Sequence, residues 1–169
     1  MRPGEDKLPG GRLRMVEVAD AEPFAGELFR RVFHFPPPDF PRHFVALYET
    51  DSGAALTLGY IHFTPHKTVY LCGGMAFDER LYRRLPVADR KALRALGGVA
   101  HLMHERTRSE LADGEAIFGY VGDVKAERVD LRSGFVHTGH KHLIVTWLRA
   151  HAPEHRAALV DEIRALGPF

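Results

Sequence analysis

A chain of 169 residues with 45% apolar and 27% charged residues is long enough for one domain with a full core and too short for two ordinary ones. Its 23 Lys and Arg nearly cancel 22 Asp and Glu, so the overall charge gives no reason to expect nucleic acid or an anionic membrane surface as the main partner. No segment has the roughly 18 apolar residues that span a bilayer. Met1 to Arg14 lacks an apolar signal core, and a single cysteine, Cys72, excludes an internal disulfide framework, so a cytoplasmic protein is expected.

Residues 1–11 read as a flexible tail, and residues 12–169 as a single domain. A strand is predicted from Arg12 to Val18. Glu22-Pro23 then opens a helix whose apolar stripe is Phe24, Leu28, Phe29, Val32 and Phe33, and Pro36-Pro37-Pro38 ends it in a loop reaching Arg42. A three-stranded antiparallel meander follows: His43 to Thr50, a turn at Asp51-Ser52-Gly53, Ala54 to Phe63, a turn at Thr64-Pro65-His66-Lys67, and Thr68 to Phe77. Gly73-Gly74 inside the third strand marks a bulge or close approach by a backbone or ligand, with a packing need as the alternative. Cys72 beside it reads as a small buried hydrophobe. Helices are predicted over Pro86 to Leu96, broken by Gly97-Gly98, and from Val99 to about Leu111. Ala116 to Gly122 is nearly all apolar or small, as in a strand covered on both faces. Asp123 caps the helix that follows, and Gly134 sits where a left-handed C-cap is wanted. A strand from Lys141 to Leu148 and a helix from Pro153 to Leu166 complete the chain.

The segment from Asp123 to Phe135 resembles the GNAT superfamily, the acyl-CoA-dependent N-acyltransferases, whose pattern there is Asn-x-x-Ala-x-x-apolar-Tyr-x-x-x-Gly-Phe. Asp123, Ala126, Val129, Asp130, Gly134 and Phe135 fall on its six positions, with Asp in place of both the Asn and the Tyr. The order of elements from about Arg12 to Arg149 also follows the family plan. The resemblance implies an α/β (α+β) fold with a mixed, mostly antiparallel central sheet flanked by helices. It implies acetyl-CoA or another acyl-CoA as co-substrate and transfer of the acyl group, most simply acetyl, to a small-molecule amine acceptor. A homodimer is compatible with it.

The same resemblance assigns site residues. The family's pyrophosphate loop, Gln/Arg-x-x-Gly-x-Gly/Ala at a helix N-terminus, corresponds to Gly98-Val99-Ala100, with Gly97 beside it and Arg94 one residue early of the Gln/Arg position. The pantothenate arm would insert between the strands ending at Phe77 and Gly122, along Met75, Ala76 and Phe77, with Asp123 at the far side. A backbone N–H near Gly73-Gly74 and Met75 would hold the oxyanion. The family's acid, a helix Tyr, is here Asp130. Three readings stay open: Tyr120 or a histidine supplies the proton, Asp130 recognises a cationic acceptor, or the domain is a catalytically silent module that binds CoA or scaffolds a partner.

No metal is expected from the motifs. His101, His104 and Glu105 lack metalloprotease spacing and read as a solvated helix face. His137, His140 and His142 flank a turn without a neighbouring carboxylate or cysteine, and His62 is a further base candidate. Phe33 to Phe44 and His137 to His142 are expected to line the acceptor, which suggests a partly apolar one.

Overall fold

The computed structural model describes residues 12–39 and 41–169, and the expected tail over residues 1–11 lies outside them. In chain order the elements are β1 (Leu13–Val18), α1 (Glu22–Phe33), β2 (Arg42–Glu49), β3 (Ala55–His66), β4 (Val69–Phe77), α2 (Glu79–Arg84), α3 (Val87–Ala95), α4 (Val99–Glu110), β5 (Ala116–Tyr120), α5 (Val124–Arg132), β6 (Val136–His137), β7 (Leu143–Trp147) and α6 (Pro153–Leu166). Seven strands form one sheet in the order β1-β2-β3-β4-β5-β7-β6, and only β4 and β5 run parallel. The expected mixed, mostly antiparallel sheet is therefore present.

Both faces of the sheet are covered. Along β2, Phe44, Ala46 and Tyr48 face the cluster shared with α3 and α4, while Val45 and Leu47 face α1 through Ala25 and Phe29. At the other end α6 places Leu159 and Ile163 on Leu71, Phe118 and Val145. This two-sided burial explains why β2 and β5 read as apolar runs rather than alternating ones. Each fully buried Phe, such as Phe29 or Phe118, contributes roughly 1.5–3 kcal/mol by leaving water. Among the described residues no helix is long and apolar enough to cross a membrane.

The structure departs from the predicted elements in three places. The turn expected at Thr64 to Lys67 is instead a two-residue connection, because β3 pairs with β4 out to His66 opposite Val69, and Lys67 takes a positive φ of 50°. Pro65 is tolerated inside β3 because β2 reaches no further than Phe63, which leaves that part of β3 without a partner on its other side. The segment after Phe77 holds an additional helix, α2, started by Asp78, whose carboxylate accepts from the Leu81 N–H at 2.8 Å. Finally, Val136 and His137 form a short strand against β7, in a segment for which no element was expected.

Candidate functional site

β4 and β5 pair over three residues only, Tyr70 to Cys72 with Ile117 to Gly119. Beyond that point β4 continues to Phe77 bonded to β3 alone, so among the described residues no strand lies on the side of Met75, Ala76 and Phe77 that faces away from β3. The cause of the parting lies in β4 itself. Phe63 pairs with Cys72 and Ile61 with Met75, so the one residue between the first pair, His62, stands opposite two, Gly73 and Gly74. This is the expected bulge. The packing alternative also holds: a Cβ on Gly73 would lie 2.0 Å from His62 Nε2, and one on Gly74 would lie 3.0 Å from Phe29.

His62 fixes the bulge by accepting the Gly74 N–H at Nε2, 3.2 Å away. Nε2 is thereby the acceptor and Nδ1 carries the ring proton. Burial, and secondarily the neighbouring His43, pull the His62 pKa down to about 4, so the ring is neutral near pH 7. Of the two donors in the bulge, the Gly74 N–H is thus already engaged. Around the bulge opens a cleft of about 870 Å³, bounded by Phe29, Phe33 and Phe35, by Pro36 to Asp39, by His62 with the two glycines, and by Tyr120 with Phe169. Tyr120, last residue of β5, is 36% exposed, with its ring against His142 and Phe169. Of the first expected acceptor segment, Phe33 and Phe35 to Asp39 line the cleft, while its last residues belong to β2 and Phe40 lies outside the described residues. The second does not line it: His142 lies behind the Tyr120 ring, its Nδ1 bonded to the Val121 carbonyl at 2.9 Å. His137 and His140 border a separate groove beside α6.

The N-terminus of α4 differs from a simple glycine cradle. Gly97, at φ 90°, closes α3 in a Schellman motif: its N–H donates to the Arg94 carbonyl and the Gly98 N–H to that of Leu93, at 3.1 and 2.8 Å. Both glycine amides are consumed by the preceding helix. Arg94 itself is exposed on the last turn of α3. What α4 leaves without an intrahelical acceptor are the N–H groups of Val99, Ala100 and His101, because its first such bond runs from Leu102 to the Gly98 carbonyl. No side chain caps them.

α5 forms as expected. Asp123 accepts from Lys125 and Ala126 at 2.9 and 2.8 Å, and Gly134, at φ 98°, with Phe135 closes a second Schellman motif on the carbonyls of Leu131 and Asp130. Asp130 then meets a partner that the sequence reading left on a solvated face: His104, 3% exposed, lies with Nε2 3.0 Å from Asp130 Oδ1. The correction has a simple cause. α4 is covered by the sheet on one side and by α5 on another, so its buried sector is wider than the stripe Val99, Leu102 and Met103. Cys72 lies near this pair, and burial followed by the Asp130 charge push its thiol far above the usual range, which leaves no thiolate nucleophile there.

No family model matches the chain, and no curated protein matches it in sequence. Solved structures do. The ribosomal-protein-S18-alanine N-acetyltransferase of Escherichia coli superposes with a TM-score of 0.55 at 11% identity, covering 83% of this chain and 97% of that one. KacTA, solved in complex with DNA, gives 0.50 at 16% identity over 89% and 99% of the two chains. Escherichia coli YhhK, solved with coenzyme A, gives 0.50 at 13% identity over 80% and 98%. The chain has the GNAT fold, reached with very little shared sequence.

Proposed function

We propose that the chain is an acyl-CoA-dependent N-acyltransferase whose cofactor lies between the parted strands β4 and β5. The observation that carries this reading is the combination of three features, the first and last joined through the buried cluster that holds Val99 and has Met75 and Phe77 packed against it. These are a β4 edge without a strand partner over Met75 to Phe77, a bulge at its apex, and an uncapped helix N-terminus at Val99. The unpaired N–H groups of Val99, Ala100 and His101 take the pyrophosphate, and the β4 edge pairs with the pantothenate arm. Coenzyme A bound to a neighbour of the same fold supports that ligand. The acceptor enters from the opposite side, through the cleft of Phe29, Phe33, Phe35 and the three prolines, where Asp39 is the carboxylate available to a cationic amine. Its nitrogen attacks the thioester carbon, the carbon–sulfur bond breaks as the amide forms, the proton lost by the amine passes to water in the cleft, and the departing CoA thiolate takes one from a protein acid that water reprotonates. Tyr120, which lines the cleft and is partly exposed, is the group we assign to supply it.

Ala100→Glu tests the cofactor assignment. An acid in the first turn of a helix suits the helix dipole, so the fold should melt at or slightly above the wild-type temperature. The same charge faces the pyrophosphate, and CoA affinity measured by calorimetry should fall at least ten-fold, about 1.4 kcal/mol. Gly98→Glu is a poorer probe, because φ 91° strains any side chain there. Undiminished CoA binding by folded Ala100→Glu would remove the cofactor from this helix.

A further inference from the structure

At the opposite end of β5 from Tyr120, three side chains converge that the acyl-transfer reading does not use. Glu115 precedes β5 and is fixed by its backbone, donating to the Thr68 carbonyl at 2.8 Å and accepting from the Leu148 N–H at 3.0 Å. His151 lies in the connection after β7. His155 follows it by four residues in the first turn of α6, which Pro153 starts. Their ligand atoms lie within 4.8 Å of one another. His155 Nε2 is 2.5 Å and His151 Nε2 3.7 Å from Glu115 Oε2, and the two imidazole rings are tilted at a centroid distance of 5.0 Å.

One atom in this group is unexplained. His151 Nε2 is buried and has no hydrogen-bond partner among the described residues, a condition that is costly in a protein interior. The nearby guanidiniums do not relieve it: Arg149 donates to the Ala112 and Asp113 carbonyls, and Arg156 lies over the Trp147 ring. A cation accepting a lone pair from His151, a second from His155 and a third from Glu115 would relieve it.

We propose that Glu115, His151 and His155 form a binding site for a divalent transition-metal ion of the zinc type. Two imidazole nitrogens and one carboxylate are the donor set of such ions, whereas magnesium and calcium call for oxygen. Ligand atoms about 2.1 Å from a tetrahedral zinc stand roughly 3.4 Å apart. The His151 to Glu115 separation is close to that already. The His155 to Glu115 contact must open by a little under an ångström, a movement within reach of a half-exposed side chain on a first helical turn. Three protein ligands leave a fourth position for water or an exogenous group. The ion would pin the start of α6 to the start of β5. At about 3.3 Å per strand residue it lies some 16 Å from Tyr120, so it serves no step in the cleft.

The chain's single tryptophan, Trp147, lies 5.9 Å from the His151 ring and reports on the site. Titrating the metal-stripped full chain with Co²⁺ should quench its fluorescence saturably, with one ion bound per chain, and Zn²⁺ should reverse the quenching by displacement. His151→Ala and His155→Ala should each weaken the apparent affinity at least ten-fold. The double variant His137→Ala with His140→Ala, which alters the other histidine cluster, should leave it unchanged. Should His151→Ala fail to fold, Glu115→Gln gives the same reading with a side chain of equal size. Absence of saturable quenching, or quenching that ignores the His151, His155 and Glu115 variants, overturns the site.

Discussion

In the proposed reaction Tyr120 is the candidate proton donor, because the position of the family's tyrosine on the helix after β5 is here Asp130 and that carboxylate is taken by His104. His62, the other titratable group at the bulge, uses Nε2 to hold the Gly74 N–H and is drawn toward the neutral form, so it shapes the strand and carries no proton to the leaving group. Cys72 is protonated by burial. Tyr120 remains, half-exposed at the end of a strand whose backbone is fixed by pairing with Leu143. Tyr120→Phe should lower turnover roughly 10²-fold, the lower range for loss of a general acid, with CoA affinity and melting temperature near wild type. Turnover equal to wild type would move the proton donor elsewhere in the cleft.

α4 and α5 are joined by the bond between His104 and Asp130, by the edge contact of His104 with Phe135 at 5.3 Å, by His101 Nδ1 3.3 Å from Ser133 Oγ and by Arg108, which donates to the Ser133 carbonyl. Asp130→Ala leaves a buried imidazole N–H without an acceptor and should cost about 1–3 kcal/mol in urea denaturation, whereas Asp130→Asn, which keeps an acceptor oxygen, should recover part of it. If Asp130→Ala were as stable as wild type yet lost acceptor affinity, the residue would be a substrate contact, as the sequence alone allowed. The same two helices show what a sequence makes legible. The caps of α5 were readable because Asp123 and Gly134 act within a few residues of their own positions. The bulge could be suspected from Gly73-Gly74, but its cause, His62 from the neighbouring strand, is set by register. Gly97-Gly98 looked like an anion cradle because glycine before a helix has the same appearance whether it serves the helix ahead or closes the one behind. The Glu115, His151 and His155 group was invisible, since Glu115 is separated from the two histidines by the whole of β5, α5, β6 and β7 in sequence and meets them only where β5 and α6 both begin.

Across the whole molecule the sheet keeps a line of imidazoles and a phenol away from water beneath α1: His43 Nδ1 lies 2.8 Å from the Tyr60 hydroxyl, and the Tyr60 ring lies against His62. Burial lowers the pKa of both histidines, His62 to about 4. A base with a depressed folded pKa binds fewer protons folded than unfolded, so its contribution is complete above the unfolded value near 6.5 and is lost as pH falls toward the folded one. For His62 the linkage integral between about pH 7.5 and about pH 5 is about 2 kcal/mol, and His43 adds in the same direction. Asp78 acts lower on the scale. Burial raises its pKa, but the Leu81 amide and Arg31 outweigh that and hold its carboxyl below the usual range, so its stabilisation is kept until more acid pH. Urea unfolding should therefore show stability falling over pH 6.5 to 4, well before carboxylate protonation dominates. His62→Gln, which keeps an acceptor for the Gly74 N–H and cannot titrate, should lose much of that slope, with His43 keeping the remainder. An unchanged slope in His62→Gln would mean that the acid sensitivity resides in other histidines and that His62 is better hydrated than its place under α1 implies.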